Sequence, residues 1–106
     1  MNDEEAKDVF TDKVENHMQS FSFYIDHIQM DFYDYYDMIS MEFFLVYSAK
    51  FPGSTTVFGF VSFRDLNKHL TGESFRGWRV ALTRDKLSKF VAETGLVDKI
   101  KHSLSL

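Results

Sequence analysis

The chain has a single proline, Pro52, and glycine follows it in Phe51-Pro52-Gly53-Ser54, between two apolar, β-rich runs at 39–50 and 56–63. Proline presets φ for the second position of a type II turn and glycine accepts the positive φ of the third, so the pair predicts a hairpin. Strands therefore occupy the middle of the chain, and every other segment has to pack around them.

Upstream, Val9, Phe10, Val14, His17 and Met18 form one stripe along residues 4–19, the spacing of an amphipathic helix. Phe21, Phe23 and Ile25 alternate with Ser22, Tyr24 and Asp26, which predicts a strand over 21–28. Between Asp31 and Asp37 no Gly, Asn or Pro supplies a turn, and Phe32, Tyr36 and Ile39 recur at i, i+4 and i+7. That spacing predicts a short helix capped by Asp31, with an extended hairpin arm over 31–38 as the alternative. Ser62, with Asp65 three residues on, opens a further short helix that ends before Gly72, and residues 75–82 have the pattern of a strand. Thr83 caps a helix whose Leu87, Phe90, Val91 and Thr94 share a face, Gly95 stops it, and Leu96 to Leu104 resumes helically.

The predicted order is helix, β-α-β-β-α-β, helix. This is an α+β domain with a ferredoxin-like antiparallel sheet and one extra helix at each end. With 106 residues the chain has room for one core, so residues 1–106 are expected to form a single domain: a helix at 4–19, a sheet core with two short helices at 21–82, and a helical segment at 83–104. Cysteine is absent, which excludes disulfides, thiolate metal sites and cysteine nucleophiles. There is no long apolar run and no basic-then-apolar leader, so the expectation is a soluble cytoplasmic protein without a membrane span.

Charge divides along the chain. Residues 1–42 carry eleven acids against Lys7 and Lys13, whereas residues 43–106 carry ten Lys and Arg against five acids. The halves can attract each other within the fold or present separate acidic and basic surfaces.

The second hairpin strand, Thr56-Val57-Phe58-Gly59-Phe60-Val61-Ser62-Phe63, resembles the eight-residue signature of the RNA recognition motif, with Thr56 in place of the basic residue and Val57 in place of the first glycine. The likeness extends through Leu70-Thr71-Gly72-Glu73-Ser74-Phe75-Arg76-Gly77-Trp78-Arg79-Val80-Ala81-Leu82. Upstream it takes in Phe23-Tyr24-Ile25-Asp26-His27-Ile28 and the positions of Tyr33, Tyr36 and Ile39, so residues 23–82 are covered. The resemblance implies that Gly59, Val61 and Phe63 face the core, that Tyr24, Phe58 and Phe60 stack on unpaired bases, and that Arg76, Arg79 and Lys50 meet phosphates. An added amphipathic helix lying on those rings would close that platform.

No mechanism-bearing enzyme motif is present. Gly72 and Gly77 have the spacing that opens a phosphate loop, but Trp78-Arg79 follows where Lys-Ser/Thr is required. His17, His27, His69 and His102 are scattered, and Asp26 and His27 of one strand point to opposite faces, so neither a metal nor any other cofactor is expected. The expectation is a non-enzymatic binder.

Two functions follow. In the first, an acidic, tyrosine-rich surface of Asp26, Asp31, Tyr33, Asp34, Tyr35, Asp37 and Glu42 docks on a basic protein partner such as a nuclease or another nucleic-acid-binding protein. By analogy, small acidic proteins of this kind serve as immunity proteins or as phage-encoded anti-defence inhibitors. In the second, the chain binds single-stranded RNA or DNA through Tyr24, Phe58 and Phe60 with Arg76, Arg79, Arg84, Lys86 and Lys89, against the opposition of the acidic first half. Either form is compatible with a monomer or a homodimer.

Overall fold

The computed structural model describes residues 1–12, 19–73 and 81–104. The Pro52–Gly53 hairpin forms as expected: β3 (Glu42–Lys50) pairs antiparallel with β4 (Thr56–Ser62), Phe51 N–H donates to the Thr55 carbonyl, and Gly53 has φ of +93°. Ahead of them run α1 (Asp3–Thr11), β1 (Ser20–Ile25) and β2 (Ile28–Asp37). After them come α2 (Phe63–Thr71), α3 (Arg84–Thr94) and α4 (Leu96–Leu104).

All four strands are antiparallel and lie in the order β1-β2-β3-β4. This corrects the ferredoxin-like expectation, in which a helix separates the first two strands and the sheet order is interleaved. Residues 28–37 form a strand, so the helix expected at 31–37 is absent and its extended alternative is what forms. The turn that starts this strand lies ahead of Asp31, at Asp26 and His27. Asp26 and His27 take φ of 49° and 66° between the paired Ile25 and Ile28, the left-handed pair that a two-residue type I′ turn needs. Asp and His pay a small steric cost there that glycine would not. The strand expected at 75–82 falls mostly outside the described residues; Ala81 and Leu82 are not in a strand, and Leu82 is buried in the core.

The period-2 alternation divides the sheet into two unlike faces. The inner face carries Phe21, Phe23, Ile28, Met30, Phe32, Leu45, Tyr47, Ala49, Val61 and, just past β4, Phe63. It packs against Leu66 of α2, Leu87, Phe90 and Val91 of α3, and Val97 and Ile100 of α4. Gly59 suits the crossing of the Tyr47 ring, because a Cβ there would collide with Oη and Cζ of that ring unless it shifted. Burial, with a smaller contribution from the Asp3 carboxylate, pushes the Tyr47 phenol up to about 12.

The helix ends follow their caps. Ser62 accepts from the Asp65 N–H, Thr83 accepts from the Lys86 N–H, and Gly72 and Gly95 close α2 and α3 in the left-handed conformation. Among the described residues the outer face receives α1, through buried Ala6 and through Phe10, whose ring lies 4.9 Å from Tyr33 and 5.7 Å from Phe58. The helix expected over 4–19 is described over residues 3–11, and residues 13–18 lie outside the described residues.

Candidate functional site

The β2–β3 connection is the most unusual surface on the molecule. Asp37 pairs with Glu42, and the four residues between them, Met38-Ile39-Ser40-Met41, form the tip. Met38, Ile39 and Met41 are 81%, 96% and 63% exposed, and Tyr36 beside them is also exposed. Single exposed apolar residues are ordinary, but three large ones within four positions of one turn are not.

Asp37 fixes the backbone beneath them. Its Oδ1 accepts from the Ile39 N–H at 3.1 Å, its Oδ2 accepts from the Ser40 hydroxyl at 3.0 Å, and its carbonyl accepts from the Met41 N–H at 2.7 Å. Met41 takes φ of 58°, which throws its side chain outward. The ring pair Tyr36–Phe43, 4.7 Å apart, props one side of the hairpin, and Glu42 to Arg64 at 3.4 Å ties the other side to the start of α2. The tip is thus a preorganised apolar knob on a braced stalk.

The residues expected to form one acidic surface are distributed around this stalk and beyond it. Asp37 and Glu42 flank the knob, and Tyr35 and Tyr33 lie on the outer face, partly buried. Asp31 shares that face, where its carboxylate accepts from the Ser22 hydroxyl and from Gln29 Nε2. Asp34 lies on the inner face, buried, and accepts from the Gln19 N–H at 3.0 Å. Asp26 is at the opposite end of β2, 3.7 Å from Lys101 of α4. Asp34 and Asp26 therefore do not belong to the surface that Asp37 and Glu42 form.

The aromatics expected on the outer face are there, but apart. Tyr24 on edge strand β1 is 72% exposed, whereas Phe58 on the other edge strand lies under α1 with the Lys7 ammonium 5.9 Å from its ring centroid. Phe60 packs edge-on to Phe44 at 5.7 Å. Two strands separate Tyr24 from the other two, so the three rings do not form one continuous platform. Arg76 and Arg79 lie outside the described residues.

A broad groove runs between β4, the start of α2 and the α3–α4 corner, with Arg64, Lys68, His69 and Lys99 along it. His69 Nε2 lies 3.7 Å from Glu93 and its ring stands edge-on to Phe90. Among the described residues no group of three or more His, Asp or Glu side chains is arranged to hold a metal ion, and no helix is long and apolar enough to cross a membrane.

Sequence reasoning missed the knob because it assigned Ile39 to a helical stripe with Phe32 and Tyr36. The signal was present in Met38-Ile39-Ser40-Met41, an apolar cluster between two acids that belongs to neither β-alternation nor a helix face. No known protein family, curated protein or solved structure matches the sequence.

Proposed function

We propose that the chain is a stoichiometric protein-binding module whose recognition element is the β2–β3 hairpin tip. The observation that carries this is the exposure of Met38, Ile39 and Met41 on a turn whose conformation Asp37 already holds. Burying such side chains in a partner gains about 1.5–3 kcal/mol each, and a turn ordered in advance loses little entropy on docking. Methionine adapts to the shape of the cavity it enters.

Asp37 and Glu42 beside the knob, though the first also holds the turn and the second meets Arg64, favour a partner with an apolar cleft rimmed by basic side chains. A nucleic-acid-handling enzyme offers such a rim where it tracks a phosphate backbone, and a knob seated there blocks substrate, which makes the module an inhibitor. The same acids oppose docking on an anionic lipid surface.

The test is a quantitative affinity capture that compares the wild-type chain with the M38S/I39S/M41S variant. The variant should keep its fold by circular dichroism and hold the captured protein at least about 1,000-fold more weakly. Equal recovery by both chains rejects the proposal. Salt-sensitive binding of a fluorescent single-stranded RNA, undiminished in the tip variant, would move the function to the nucleic-acid reading.

A further inference from the structure

Ser48 lies near the middle of the outer face, opposite Asp31 on β2 and Phe58 on β4. It is 1% exposed, and its hydroxyl has no hydrogen-bond partner. Folded proteins seldom leave such a group unpaired, because it gives up its bonds to water and gains nothing in return. The Asp31 carboxylate across the strand pair receives Ser22 and Gln29 and makes no bond to the Ser48 hydroxyl.

Ser48 forms the floor of a cleft of about 300 Å³ between the C-terminal end of α1 and the sheet, at the end of β3 remote from the hairpin tip. The rings of Phe10, Tyr33 and Phe58 wall it, and Thr11, Thr56 and Lys50 stand at its margin. Its volume is that of one small molecule and too little for a peptide segment. Phe10 already touches Tyr33 and Phe58, so a flat ring would lie against the open side of this cluster, where it still gains aromatic contacts. A cationic ligand is disfavoured, because the Lys7 ammonium already lies over Phe58 and Lys50 adds a second positive charge.

We propose that this cleft binds a small planar aromatic anion. The ring lies against the cluster of Phe10, Tyr33 and Phe58, the anionic group meets Lys50, and a polar ring atom or substituent bonds the Ser48 hydroxyl. A hydroxyl both donates and accepts, so either kind of ring atom satisfies it. Because that hydroxyl is shut off from solvent, reaching it requires a small outward shift of α1, which covers this face. The site is independent of the protein-binding tip.

Two sources share this chemistry, a nucleoside monophosphate and an aromatic carboxylate. The experiment titrates ¹⁵N-labelled chain with AMP and with indole-3-acetate, and with adenosine and indole as their neutral counterparts, following amide shifts. Saturating shifts centred on Ser48, Lys50 and Phe58, with Kd at or below about 1 mM for an anionic probe and at least about fivefold weaker binding of its neutral counterpart, support the proposal. The probe that saturates identifies the source. Absence of saturation by both anions, or shifts centred elsewhere, overturns it.

Lys50→Gln should weaken the anion about fivefold and leave the neutral ring unchanged. Ser48→Ala should weaken binding about five- to tenfold while raising the Tm, since it removes an unpaired buried hydroxyl. A chain stabilised by Ser48→Ala with undiminished affinity would refute the role of the hydroxyl. If Lys50→Gln leaves the anion's affinity as it was, the anionic half of the assignment fails.

Discussion

The two faces of the sheet are covered very differently. Three helices close the inner face, where Met30, Phe32, Leu45, Phe63 and Leu66 are all but inaccessible to water. Among the described residues the nine-residue α1 covers the outer face through Ala6 and Phe10, with Tyr24 exposed and the Ser48 hydroxyl unpaired. Folding stability should therefore be concentrated on one face, while the features that suggest binding lie on the other and at the β2–β3 tip. Strand alternation divides the side chains between the two layers, and the placement of the helices sets how deeply each is covered.

The largest expected effect tests that division directly. Phe32→Ala removes a ring packed between Phe23, 5.6 Å away, and Tyr47, 5.5 Å away, and should cost about 3–5 kcal/mol in urea unfolding. Phe58→Ala on the half-buried outer face should cost less than half as much. Equal losses would mean that α1 and the outer face form a second core of the same strength.

Next in size is the response of Tyr47 to pH. Its phenol titrates near 10 in the unfolded chain and at about 12 in the folded one. The unfolded state therefore loses its proton first, and the stability present below pH 10 falls as pH rises from 10 toward 12, by up to about 2–3 kcal/mol. Tyr47→Phe should flatten that limb when unfolding free energies at pH 9 and 11.5 are compared. Gly59→Ala acts on the same contact from the other side. It should cost about 1–3 kcal/mol, and Tyr47→Leu in the same chain should relieve part of that loss, a coupling visible in a double-mutant cycle.

The sequence makes some of this asymmetry legible and hides the rest. Ser62, Thr83, Gly72 and Gly95 identify their helix ends because capping depends on local chemistry that a short window contains. The Pro52–Gly53 turn is local in the same way. Strand β2 was hidden for two physical reasons. Its turn uses Asp26 and His27 in a conformation usually left to Asn and Gly, and Asp34 occupies a core-facing position, breaking the apolar alternation of Ile28, Met30 and Phe32. A helix over 31–37 would bring Asp34 and Asp37 to one side, three residues apart, whereas on β2 they lie on opposite faces. The sequence placed Phe58 and Phe60 on the face opposite Gly59 and Val61, and the structure agrees. That α1 would lie over Phe58 depended on long-range packing that no local pattern encodes.

The smallest expected effect concerns the three N-caps, and it separates the faces most cleanly. Asn2, Ser62 and Thr83 each accept a backbone N–H three residues on, at 2.9, 3.2 and 3.2 Å. Replacing any of them with alanine removes about 1 kcal/mol of helix stability. For Ser62→Ala and Thr83→Ala the loss should appear in global unfolding, because α2 and α3 belong to the inner core and come apart only when it does. For Asn2→Ala it should appear as faster amide exchange confined to α1 and the strand residues beneath it, with the global midpoint almost unmoved, because α1 can leave the outer face while the inner face stays packed. A global loss as large as that of Ser62→Ala would show α1 to be part of the same cooperative unit. The outward shift of α1 that the Ser48 cleft requires would then have to work against the stability of the whole domain.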